Sequence, residues 1–170
     1  RFREVARDAG LYDPTFNQLG FGTQMVDLNG DGPPEIVILN GHIDDQSALG
    51  VPWKMRPQVF SVTGSDAMGV PQFREIGAET GEFFKTETLG RGLARLDWNG
   101  DFRPDLIACH QDRGPALLTN GGRTPLGGTK VRLIDPLGNR DAIGSRVICG
   151  TGPGARRDVT GADGYLTTNE

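Results

Sequence analysis

Short apolar runs separated by glycine and proline set the pattern of this chain. Met25-Val26-Asp27-Leu28 and Glu35-Ile36-Val37-Ile38-Leu39 form one pair of runs, and Ala94-Arg95-Leu96-Asp97-Trp98 and Asp105-Leu106-Ile107-Ala108-Cys109 form another. Runs this short, rich in Val, Ile and Leu and bounded by turn residues, predict buried strands. Only residues 1–10 have a mildly helical look, and Gly10 is expected to end that segment. Glycine occurs 26 times in 170 residues, more than double the usual share of about 7%, and proline adds 11. Such punctuation fits many short strands joined by tight turns, so the expected class is all-β.

The runs repeat in order. Residues 2–12 (FREVARDAGLY) match 73–83 (FREIGAETGEF) at an offset of 71, and 22–39 match 92–109 at an offset of 70. Residues 57–64 (PQVFSVTG) resemble 115–122 (PALLTNGG) at an offset of 58, so the first copy carries extra residues around Asp44 to Met55. One unit therefore reads as a Phe-x-Glu-Val/Ile segment, a glycine-led strand, an acidic loop, an apolar strand, a variable loop and a last short strand. A unit of about 70 residues with several strands suits a propeller blade. The predicted architecture is a partial β-propeller of about two blades, residues 1–70 and 71–122, followed by a small β-rich segment at 123–170. Propellers close with roughly 4–8 blades. Two blades leave open edges, so a covering partner or a larger propeller is expected.

The acidic loops carry the candidate chemistry. Loop one runs Asp27-Leu28-Asn29-Gly30-Asp31-Gly32-Pro33-Pro34-Glu35, and loop two Asp97-Trp98-Asn99-Gly100-Asp101-Phe102-Arg103-Pro104-Asp105. Oxygen side chains fall at positions 1, 3, 5 and 9 of each. Alternate positions of a tight loop can converge on a hard cation that takes 6–8 oxygen ligands, which is calcium. The predicted ligands are Asp27, Asn29, Asp31 and Glu35 with the Pro33 carbonyl, and Asp97, Asn99, Asp101 and Asp105 with the Arg103 carbonyl. An EF-hand would carry Glu at position 12, where Ile38 and Ala108 stand instead. Without that bidentate Glu the expected affinity is modest, in the roughly 10⁻⁴–10⁻³ M range. The competing reading is that these Asp and Asn side chains only brace backbone turns. Position 6 is Gly32 in loop one but Phe102 in loop two, so loop one is expected to turn more easily.

The glycine-led strand, the D-x-N-x-D-x-x-P-[DE] loop and the apolar strand after it resemble the FG-GAP (VCBS) repeats of integrin-type β-propellers, over roughly residues 1–122. The tail resembles the ASPIC/UnbV domain at Gly128-Thr129-Lys130-Val131-Arg132-Leu133, at Gly138-Asn139-Arg140-Asp141-Ala142-Ile143-Gly144-Ser145-Arg146-Val147 and at Gly164-Tyr165-Leu166-Thr167. That domain commonly follows such repeats in secreted cartilage-acidic-protein-like proteins. The resemblance implies calcium in the acidic loops, an extracellular or periplasmic location, adhesion or contact with other protein chains, and no shared catalytic residue.

Composition and the remaining residues narrow the picture further. A net charge of −4 and a pI near 5.2 argue against a nucleic-acid binder, which would show a basic face. No run approaches the roughly 18 apolar residues of a membrane span. The chain begins at Arg1 with no signal-peptide pattern, which suggests a removed leader or a piece of a longer protein. Cys109 and Cys149 sit in apolar runs and are expected to be buried thiols in strands. His42 and His110 follow apolar strands at near-equivalent positions, without the further ligands that zinc would need. Gly150-Thr151-Gly152-Pro153-Gly154 reads as a hairpin turn, and Arg156-Arg157 as solvated surface. Trp53, on a Pro-rich loop, is either a contact residue or folded onto the body. An accessory, non-enzymatic interaction module is the first expectation. A non-catalytic or substrate-holding part of a secreted enzyme is the second, with Asp44, Asp45 and Asp112 as the only carboxylates near a plausible rim.

Overall fold

The computed structural model describes residues 1–122, 131–138, 141–150, 156–160 and 165. Its described residues are mostly β. Strands β1 (Gly20–Val26), β2 (Glu35–Asn40), β3 (Gln58–Ser65) and β4 (Pro71–Glu75) form a four-stranded antiparallel meander in that order. Strands β5 (Gly90–Leu96), β6 (Asp105–His110) and β7 (Ala116–Leu118) form a three-stranded one, and β8 (Arg146–Ile148) pairs with β9 (Arg156–Asp158) in a separate two-stranded sheet. The sheets do not close on one another into a ring.

The internal repeat is visible in the register. Thr23 pairs with Ile38 and Val26 with Glu35, just as Leu93 pairs with Ala108 and Leu96 with Asp105. Both ladders slip at the same place, after Gly20↔Asn40 and after Gly90↔His110. The acidic loops are therefore the β1–β2 and β5–β6 hairpin connections. Both strands before them stop earlier than the apolar runs suggested, at Val26 and Leu96, because Asp27 and Asp97 turn their carboxylates onto the loop backbone.

One apolar cluster joins the two meanders. Val26, Val37, Leu39 and Val59 of the first sheet pack with Leu93, Leu106 and Ala108 of the second and with Phe84. Burying such side chains contributes about 1.5–3 kcal/mol each. Gln24 is one of several buried polar side chains, and its amide donates to the Leu93 carbonyl at 2.8 Å. The extra residues of the first copy form a clasp onto the second. Met55 and Thr88 exchange backbone hydrogen bonds of 3.0 Å each way, and Lys54 Nζ lies 2.8 Å from Asp112. Trp53 is folded half-buried onto the body, and its carbonyl accepts from the His42 N–H at 2.8 Å.

Several expectations are corrected. Residues 1–10 do not form a helix. Residues 6–10 are turns, Gly10 takes φ +75°, and the first short helix, α1, is Tyr12–Thr15. The two Phe-x-Glu segments also part company, since residues 73–75 fall in β4 of the first sheet while residues 2–5 lie in no strand. Pairing with the preceding sheet, not the unit's own, sets that strand's place. Neither cysteine is buried. Cys109 projects outward near the end of β6 where the alternation of faces puts it, Cys149 lies just beyond β8, and both are free thiols. Of the tail motifs, residues 128–130, 139–140, 164 and 166–167 lie outside the described residues, as do 151–154 of the glycine-rich turn. Strands β8 and β9, on either side of it, pair antiparallel. Arg156 is exposed, with its guanidinium 2.6 Å from Asp158.

Candidate metal sites in two acidic hairpin loops

The two loops share one hydrogen-bond scheme. In loop one the N–H groups of Gly30 and Gly32 donate to the two Asp27 carboxylate oxygens at 2.7 and 3.0 Å. In loop two Gly100 and Phe102 donate to Asp97 at 2.9 and 3.1 Å. Asn29 Oδ1 accepts from Asp31 N–H at 2.8 Å while its amide nitrogen meets Asp31 Oδ2 at 2.9 Å. Asn99 repeats both contacts with Asp101, at 3.1 and 2.9 Å. The turn expected to suffer in loop two is intact, because Phe102 itself takes φ +64° where Gly32 takes +106°. A left-handed non-glycine residue costs roughly 1–2 kcal/mol. The difference between the loops is one of strain and not of shape.

Position 9 anchors each loop to its sheet. Glu35 Oε2 accepts from the Leu28 N–H at 2.8 Å and Oε1 from the Ser61 hydroxyl at 3.2 Å. Burial raises the Glu35 carboxyl above its ordinary range, with the charges of Asp31 and Asp27 pushing the same way and those two hydrogen bonds opposing. Asp105 is fully buried and accepts from Trp98 N–H at 3.2 Å and Asn120 N–H at 2.7 Å. Asn120 then reaches across to the other loop, its Nδ2 donating to the Leu28 carbonyl at 2.7 Å. A cleft of about 320 Å³ opens between the loops, edged by Asn29, Glu35, Thr80, Arg103 and Asn120. Neither Ser61 nor Asn120 was singled out in the sequence. The only signal was the alignment of PQVFSV with PALLTN, which brings the third strand beside position 9.

The donor set suits a hard cation: carboxylates, an amide oxygen and loop carbonyls in both copies. The arrangement suits it less well. Among the described residues no three His, Cys, Asp or Glu side chains converge within reach of one metal ion, and Asp27 and Asp97 spend both oxygens on backbone N–H groups. The Pro33 and Arg103 carbonyls lie in the same turns, and Arg103 N–H donates to Asp101 Oδ1 at 2.9 Å. In loop one the Asn29 amide nitrogen lies against Asp31 and also 3.4 Å from Glu35 Oε1. It sets the positive end of a dipole at the point where negative potential gathers.

The remaining candidates are tied into the scaffold. His42 Nδ1 lies 2.8 Å from the Asp44 carbonyl oxygen, and His110 Nδ1 lies 3.3 Å from that of Gly114. Burial lowers the His110 pKa. Asp45 accepts from the Ser47 hydroxyl and N–H at 2.6 and 3.0 Å. Burial would raise the Asp112 carboxyl, but hydrogen bonds from Lys54 and the Leu89 N–H, with the Lys54 and Arg113 charges, outweigh it and hold the pKa at about 2. Because the folded value lies below the ordinary 3.8, the stability it confers is present above pH 3.8 and is lost as pH falls towards 2. Asp112→Asn should therefore shrink the drop in urea midpoint between about pH 5 and pH 2.5. An unchanged drop would show that the clasp contributes nothing to acid sensitivity.

No protein-family model matches this chain, no similar curated protein was found, and no solved structure matches it.

Proposed function

We propose that this chain is a calcium-stabilised module for contact with other protein chains outside the cytoplasm, built as two FG-GAP-type propeller blades and an ASPIC/UnbV-like segment. The carrying observation is the doubled loop: the same oxygen-bearing residues, in the same turn, at the same connection of two sheets. A turn that needed only bracing would not require three formal negative charges in each copy. Those charges repel one another without a cation; at Glu35, where burial is the main cause of the raised pKa, the Asp31 and Asp27 charges push the same way. Calcium would be held by Asp27, Asn29, Asp31 and Glu35 with the Pro33 carbonyl, and by Asp97, Asn99, Asp101 and Asp105 with the Arg103 carbonyl, and would supply the positive charge that offsets these carboxylates. Calcium acts here as a staple for the blades, and the open sheet edges supply the contact surface. The bonding of Asp45 and Asp112 within the scaffold favours this reading over a substrate-holding part of a secreted enzyme.

The test is thermal melting in about 2 mM calcium and in chelator. For affinities of roughly 10⁻⁴–10⁻³ M, each filled loop should stabilise by about 0.7–1.8 kcal/mol. That is a rise of a few degrees in Tm for a chain of this size. Asp31→Asn combined with Asp101→Asn should remove the response. A wild-type melt indifferent to both calcium and chelator would refute the metal reading.

A further inference from the structure

Residues 73–76, Phe-Arg-Glu-Ile, form the outer edge of the first sheet. Phe60 pairs with Glu75, Ser61 with Arg74 and Val62 with Phe73, and the Ile76 N–H donates to the Val59 carbonyl at 2.7 Å. Their repeat counterparts, Phe2-Arg3-Glu4-Val5, lie in no strand. Phe2, Arg3 and Glu4 are exposed, and no backbone–backbone hydrogen bond holds residues 1–4 among the described residues. The second sheet shows the complementary gap. It stops at β7, whose outer edge carries no further strand among the described residues, and Leu117 is 47% exposed there.

We infer that residues 2–5 of one copy of this chain add to the β7 edge of a second copy as its fourth strand. The repeat fixes the register. Ile36 pairs with Phe60 as Leu106 pairs with Leu118, so Leu118 stands where Phe60 does, and Glu4 stands where Glu75 does. Leu118 then lies opposite Glu4, and the Val5 N–H donates to the Leu117 carbonyl as Ile76 does to Val59. An extended segment on an open edge gains main-chain hydrogen bonds directly. The contact joins two different surfaces, so it propagates head to tail and does not stop at a dimer. It names a partner for the contact role proposed above but rests on strand register, not on calcium. Assembly measured in chelator and the calcium response therefore fail independently.

Because the Phe60↔Glu75 pair is flanked by the Ile76–Val59 hydrogen bond, it is a non-hydrogen-bonded pair, with Cα atoms about 4.5 Å apart. That spacing is within disulfide range. Cys109 and Cys149 are first replaced by Ser, since both thiols are exposed. Glu4→Cys in one preparation and Leu118→Cys in another are then mixed under mild oxidation in chelator. A disulfide-linked species is expected, in at least ~10-fold excess over the mixture of Glu4→Cys with Leu117→Cys, whose side chain points to the other face. In sedimentation the wild-type chain should gain mass with concentration. Val5→Pro, which deletes the donor and leaves β7 untouched, should weaken that association at least ~10-fold. Equal linking at 117 and 118, no linking at either, or a wild-type monomer at every concentration would overturn the inference.

Discussion

Gly22→Ala should destabilise the protein by about 3 kcal/mol, at the upper end of the usual cost of overpacking. In most strands this substitution helps, because alanine restricts the unfolded chain and gains about 0.4–1 kcal/mol. Here the sign reverses. A Cβ on Gly22 would stand 2.6 Å from the Leu93 nitrogen and 2.7 Å from the Arg91 carbonyl oxygen. Both are backbone atoms of β5, so no side chain can swing away. Relief requires β1 and β5 to separate, and they hold the shared cluster of Val26, Val37, Leu93 and Ala108. Tm should fall by roughly 6–12 °C. Gly114→Ala, with nothing within 4 Å of the added carbon, should change stability by no more than about 0.5 kcal/mol. A loss at Gly22 no larger than at Gly114 would mean that the sheets are not in this close contact.

Asp105→Ala should cost about 3–4 kcal/mol even in chelator. The carboxylate is fully buried and receives two backbone donors, Trp98 N–H and Asn120 N–H. Each hydrogen bond to a charged acceptor is worth about 1.5–3 kcal/mol, and truncation leaves both donors without a partner. It also releases Asn120, whose side chain crosses to the Leu28 carbonyl of the other loop. The effect should therefore reach the first sheet. Denaturant unfolding with chelator present separates this loss from any loss of metal. Should stability in chelator be unchanged while the calcium response disappears, Asp105 would be a ligand and not an anchor.

These two residues show unequal legibility. Asp105 was visible in the sequence as the ninth position of a repeated acidic loop. Its grip on Asn120 was not, because 15 residues and a turn separate them. Gly22 was visible as the lead of a strand, but the reason for glycine there lies in a chain segment about 70 residues away. Phe102 was read as a threat to its turn. The structure keeps the turn and places the phenylalanine in a left-handed conformation, a choice that only the surrounding hydrogen bonds enforce.

Local pattern alone determined the paired strands, the doubled loop between them and the all-β character. Strand periodicity, turn residues and repeat spacing act over a few residues, so they are written in order along the chain. The tertiary structure decided what depends on distant segments meeting. It placed residues 73–75 in the outer strand of the first sheet, turned the residues around Lys54 and Met55 into a clasp on Thr88 and Asp112, and left Cys109 facing outward. It also gave Gln24, Asn120 and Gly22 their partners across the boundary between the sheets. Those contacts follow from how β1 and β2 pack against β5, and packing is set by shape and burial in three dimensions that no local window of the sequence contains.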